Sequence, residues 1–122
     1  MVPMAFERVG PDDLTILATD KGQVPMNIGA VLVFGPGWDA LVVGQELADR
    51  LAAIRRFRQR LVRPGLAAGA PVWVDDPDFR AADHLGATDL LGAGDLLNRA
   101  ADLVCTRLPM SRPLWRMHVF QG

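Results

Sequence analysis

The sequence predicts an α/β fold, a mixed sheet flanked by helices, and three stretches carry that prediction. Residues Ile28–Phe34 are apolar throughout, in a strand-sized run without polar alternation. That is the pattern of a central strand covered on both faces. Between Ala40 and Val62, Leu47, Leu51, Ile54, Phe57 and Leu61 recur at steps of three and four, as one stripe of a long helix would. Near the end, Trp115, Met117 and Val119 alternate with Arg116 and His118, the period of a half-buried strand. Helical and extended segments interleave along the chain, as an α/β architecture requires.

Taken in order, Pro11-Asp12-Asp13 opens a short helix that runs to Ala18. Proline suits the first helical position, and the carboxylates complement the positive end of the helix dipole. Lys21-Gly22-Gln23 is a polar loop. Pro25-Met26-Asn27 leads into the central strand, and Gly35-Pro36-Gly37 breaks it. Asp39 caps the long helix, which Pro64-Gly65 ends. Leu66–Ala70 is a loop of small residues, Pro71–Val74 a short strand, and Asp75-Asp76-Pro77 a turn. Phe79–Leu85 is a second extended piece, and Gly86–Gly94 a loop with an apolar turn at Leu90-Leu91. A last helix spans Leu96–Leu108 with Leu97, Ala101, Val104 and Leu108 as its buried stripe, stopped by Pro109. Pro113 then holds Arg112 extended and feeds the final strand.

Composition narrows the function. A chain of 122 residues is one domain or part of one, and half of it is apolar. A net charge of -1 gives no global field for nucleic acid. The single cysteine, Cys105, cannot form an internal disulfide and reads as a buried thiol in a reducing compartment. Met1–Phe6 is too short for the apolar core of a signal peptide, and no run reaches the roughly 20 apolar residues of a spanning helix. The expected location is the cytoplasm, with a membrane or lipid-droplet surface as a peripheral contact. Arg50, Arg55, Arg56, Arg58, Arg60 and Arg63 crowd the end of the long helix. Cations favour that end. Arg55, Arg56, Arg58 and Arg60 are also the candidate patch for an anionic partner, either cofactor phosphates or lipid headgroups.

The chemistry-bearing motifs are missing. No glycine-rich dinucleotide fingerprint follows a strand, and no phosphate-binding loop or Cys/His metal spacing occurs. Ser111 is the lone serine and lacks the nucleophile-elbow glycines. His84 reads as a surface or hydrogen-bonded histidine, and His118 has no partner acid or nucleophile nearby in sequence. Asp75 and Asp76 are adjacent and would point to opposite sides of a strand, so neither a catalytic residue nor a metal site is assigned.

Several stretches together resemble the N-terminal region of the bacterial wax ester synthase/diacylglycerol acyltransferase family. These are Val9–Asp13, Pro25–Val31, Arg55–Leu61, Pro71–Phe79 and Arg112–Trp115, in this order along nearly the whole chain. The resemblance implies part of the N-terminal domain of a CoA-dependent, chloramphenicol acetyltransferase-like fold. It implies transfer of a fatty acyl group from acyl-CoA, as co-substrate, to diacylglycerol or a long-chain alcohol. In that family a histidine of an H-H-x-x-x-D-G motif deprotonates the acceptor hydroxyl, a task suited to a group titrating near neutrality. Neither His84 nor His118 matches that motif, so no catalytic residue carries over. Pro113, Leu114 and Trp115 match a recurring family motif and are the candidate substrate contacts, with anchoring of a strand as their other role.

Two expectations follow. The chain is the front of a larger enzyme and inactive alone, or it is a stand-alone module binding a lipid surface or a protein partner. With its last strand unpaired, it should be poorly soluble or self-associate through Leu114–Phe120.

Overall fold

The computed structural model describes residues 6–20, 22, 25–65, 69–89 and 95–121. Strands β1 (Phe6–Arg8), β2 (Gln59–Val62) and β3 (Val72–Asp75) form an antiparallel sheet in the order β1-β3-β2. Trp73 at its centre faces Glu7 on one side and Leu61 on the other. Strands β4 (Leu85–Asp89) and β5 (Met117–Gln121) form a separate parallel pair, with Leu85 opposite Met117. Parallel neighbours need a crossover, and helix α3 (Asp95–Val104) lies within it. The α/β class therefore stands, but among the described residues the expected mixed sheet resolves into two, one antiparallel and one parallel.

Helix α1 (Pro11–Thr19) starts at Pro11, with Asp12 and Asp13 in its first turn. Helix α2 (Ala40–Ala52) is capped by Asp39, whose Oδ1 accepts the backbone N–H of Leu41 at 3.0 Å and of Val42 at 3.3 Å. The preceding break turns at Gly37, where φ is +95°, a value that favours glycine. Helix α2 lies on the parallel pair through Gly44. A Cβ there would collide with Val119 Cγ1 and sit 3.3 Å from Leu85 Cδ1. One turn on, Ala48 is 2% exposed. Among the described residues, Val9, Ala48 and Leu61 are buried, with Pro25, Gly44 and Pro113, and Gln59, Asp76 and His84 share the interior.

Several expectations are corrected. The long helix stops at Ala52, not Val62, and is followed by a 3-10 turn at Arg55–Arg58 and then β2. A spacing of four fits a helix turn and also two strand repeats, so Phe57 and Leu61 satisfied both readings. Pairing with β3 decides it, burying Gln59 and Leu61 alternately. Residues 28–34 form no strand. Ile28 is 99% exposed and Val33 81%, and no backbone hydrogen bond joins this run to another described residue. Phe79–Leu85 is mostly a 3-10 turn, Ala81–His84, while Gly86–Asp89, expected as loop, belongs to β4.

Helix α3 ends at Val104, short of Pro109. The side-chain amide of Asn27 donates to the carbonyls of Val104 at 3.0 Å and Thr106 at 2.8 Å, closing that end. Leu97 is exposed. So is Ala101, whereas Val104 and Leu108 of the expected stripe are half-buried as expected, joined by Leu96, Ala100 and Leu103. The last strand does not stand alone, because β4 pairs with it. Cys105 is exposed just beyond α3 rather than buried. The expected loops at Lys21–Gln23 and Leu66–Ala70, the turn at Leu90-Leu91 and the start Met1–Phe6 lie wholly or mostly outside the described residues.

Candidate functional site

Arg112–Trp115 forms a locked corner at the entry to β5. The Arg112 side chain reaches three groups. It donates to Asp76 Oδ2 at 3.1 Å, Asp83 Oδ2 at 3.1 Å and the Asp78 carbonyl at 3.2 Å. Asp83, helped by Asp76, holds the guanidinium proton even more firmly than usual. Asp76 is buried, and its other oxygen accepts the Asp78 N–H at 3.0 Å. The turn expected at Asp75–Pro77 falls one residue later, at Asp76–Phe79, because Asp75 ends β3, and it doubles as the anchor for an arginine far along the chain. Pro113 is fully buried.

Trp115 is half-buried within an aromatic cluster. Its indole N–H donates to the Phe57 carbonyl at 2.8 Å. The ring stacks on His84 at 4.5 Å between centroids and 12° between planes. Phe57 meets it edge-on at 5.8 Å, and Phe79 lies at 6.5 Å. Of the candidate substrate contacts, Pro113 and Trp115 are thus engaged by the chain's own residues, with Leu114 half-buried between them.

Both histidines are turned inward. His84 Nδ1 lies 2.8 Å from the Trp115 carbonyl, which can only accept, so Nδ1 carries the proton. Its Nε2 is buried without a partner. His118 Nε2 lies 2.7 Å from Thr88 Oγ1 across the parallel pair, while Nδ1 is buried and unpaired. Burial first, then Arg116 and Arg99, hold the His118 imidazole below its ordinary pKa. Gly86 makes room for it, since a Cβ there would lie 2.5 Å from His118 Nδ1. Neither ring is presented to an outside hydroxyl in this arrangement. Among the described residues, no three His, Cys, Asp or Glu side chains converge to hold a metal.

The arginine patch divides. Arg55 reaches Glu7 at 3.5 Å and Asp75 at 3.4 Å. Arg56 reaches Glu7 at 3.1 Å and lies 4.4 Å from the centre of the Trp73 ring. These two brace the turn after α2 against β1 and β3. Arg58 is exposed, and Arg60 is half-buried with its Nε unpartnered. A shallow groove of about 440 Å³ runs between α2 and β4, lined by Leu41, Gln45, Ala48, Ala81 and Leu85 among others. No helix among the described residues is long and apolar enough to cross a membrane.

Asp76, Asn27 and Thr88 were missed in the sequence. Each acts through a partner at least 30 positions away, and no local signal marks such a contact.

The family model for the wax ester synthase/diacylglycerol acyltransferase catalytic domain matches residues 9–122. The probable diacylglycerol O-acyltransferase tgs1 of Mycobacterium tuberculosis is 41% identical over 104 residues, covering 82% of this chain and 22% of the relative. Another from that organism, tgs3, is 30% identical over 123 residues, covering 94% of this chain and 45% of the relative. A third, a putative diacylglycerol O-acyltransferase, is 36% identical over 90 residues, covering 71% and 18%. The chain thus spans from about a fifth to under half the length of these relatives. No solved structure matches.

Proposed function

Because this chain belongs to the wax ester synthase/diacylglycerol acyltransferase family, we propose that it is one part of a fatty acyl transferase and does not complete the reaction alone. The reaction moves an acyl group from the thioester of acyl-CoA to the hydroxyl of diacylglycerol or a long-chain alcohol. In this reading residues 1–122 supply part of an N-terminal domain of chloramphenicol acetyltransferase-like fold. The general base belongs to an H-H-x-x-x-D-G motif that these 122 residues do not carry.

What the chain's own residues contribute is positioning. Arg112 and Trp115 are bound to Asp76, Asp83 and the Phe57 carbonyl. They fix where β5 begins and hold it in register with β4. Pro113, Leu114 and Trp115 then act on substrate through the strand they set, rather than by gripping it. Arg58 and Arg60 are the members of the arginine patch left for CoA phosphates or anionic headgroups.

The observation that carries the reading of a partial enzyme is exposed apolar surface. Among the described residues, Ile28, Leu32, Val33, Trp38 and Leu97 are each at least 65% exposed, side chains that the rest of a larger enzyme would cover.

The test is acyl transfer from oleoyl-CoA to dioleoylglycerol and to hexadecanol. The purified 122-residue chain alone should give no product above background. Mixed with a tgs1-type relative lacking its matching segment, it should restore triacylglycerol formation. Turnover by the chain alone would place the chemistry on these residues and overturn the proposal.

A further inference from the structure

His84 is a buried residue, 6% exposed, and only half of its polar chemistry is used. Its ring stacks on Trp115, and its Nδ1–H donates to the Trp115 carbonyl at 2.8 Å, while Nε2 is buried with no partner. A phenyl ring would stack there and leave no ring nitrogen orphaned. A buried nitrogen without a partner is destabilising and calls for a reason. The bond made by the other nitrogen supplies one.

That bond sits at the mouth of the parallel pair. The first rung is Leu85 opposite Met117, so His84 directly precedes β4 and Trp115 lies two residues before β5. Arg112 and the Trp115 indole hold the corner to Asp76, Asp83 and Phe57, none of which is in β4. The His84 bond joins the backbone of the corner to the residue from which β4 starts.

β5 needs such a pin, because its own pattern specifies register weakly. Met117, His118, Val119 and Phe120 are all half-buried, so neither face is marked as the inner one. Opposite it, β4 offers Gly86 and Ala87, with little side chain to interlock. A slip of one residue would turn Val119 away from Gly44 of α2, and His118 away from Gly86 and Thr88.

We propose that His84 is a positioning residue for acyl transfer: its Nδ1–H bond to the Trp115 carbonyl sets the register in which β5 runs along β4, and the imidazole is there for that donor rather than for packing. The link to acyl transfer rests on the reading of the chain as one part of an acyltransferase; the register does not.

Two substitutions separate donor from ring. His84→Phe keeps a stacking ring and removes the donor. His84→Asn removes the ring and keeps an N–H close to the place of Nδ1. The register is read in the full 122-residue chain from the nuclear Overhauser effect between the Gly86 Hα protons and the His118 ring, which lie against each other. It should persist in His84→Asn and be lost in His84→Phe, with helix content by circular dichroism unchanged in both. In the complementation assay with the shortened tgs1-type relative, His84→Phe should lower kcat about tenfold or more at unchanged KM for oleoyl-CoA. His84→Asn should restore most of that loss. No product with the unsubstituted chain would sink the acyltransferase reading and the positioning role with it, while the Overhauser effect still decides the register. An effect that survives in His84→Phe, or is lost equally in both variants, overturns the register role. An unchanged kcat in His84→Phe, or a change in KM alone, overturns the positioning role.

Discussion

Trp115 shows how much one side chain can organise. Its ring is stacked by His84, edged by Phe57 and hydrogen-bonded to the Phe57 carbonyl, so it joins the turn after α2 to the start of β5. Trp115→Phe keeps an aromatic ring but leaves that carbonyl short of a donor and some volume unfilled. The expected loss is about 1–2 kcal/mol in urea unfolding, with an unchanged m-value. An unchanged midpoint would show that the indole N–H bond contributes nothing. At this scale the sequence was legible where the signal is local. Asp39 reads as a cap and is one, and the turn read at Asp75–Pro77 is found one residue on, at Asp76–Phe79. The grip of Arg112 on Asp76 was not legible, because it joins residues that only folding brings together.

At the scale of elements, the docking of α2 on the parallel pair depends on Gly44. Gly44→Ala forces a methyl group into Val119 and crowds Leu85, so the helix must lift or Val119 must change rotamer. The expected cost is about 1–3 kcal/mol, against the stabilisation that alanine normally brings to a helix interior. A stabilised Gly44→Ala variant in thermal unfolding would mean the helix is not seated as described. Element types were legible in α1, from its Pro11-Asp12-Asp13 start, and in β5, although the strand begins only at Met117 and His118, expected on the polar face, is half-buried like its neighbours. They were not where two periods coincide. Phe57 and Leu61 fit helix and strand equally, and only the ladder with β3 distinguishes them. Residues 28–34 have the composition of a buried strand, but a strand also needs a neighbour, which composition cannot supply.

Across the whole molecule, stability should depend on the protonation of His118. The unfolded chain binds a proton near the ordinary value of 6.5, whereas the folded chain resists it because the imidazole is buried near Arg116 and Arg99. Stability is therefore full above about pH 6.5 and declines as pH falls from there through the depressed folded value. The urea midpoint should drop between pH 7.5 and 5.5, and His118→Gln should reduce that drop. Equal drops in both proteins would remove His118 as the cause. The family was legible in five separated stretches, and the α/β class in the interleaving of helical and extended segments. The split into two sheets was not, because it rests on which strands pair, a long-range outcome.

The order of strands in the first sheet also bears on how the chain is made. β3 lies between β1 and β2 but is the last of the three in sequence. During synthesis β1 leaves the ribosome first and must wait while α1, α2 and β2 follow. At about 5–20 residues per second that wait lasts several seconds. Throughout it neither outer strand has its partner, and Ile28–Phe34 has already emerged. A chaperone that binds apolar segments on nascent chains has its longest opportunity in that interval, which closes once Val72–Asp75 is free of the exit tunnel.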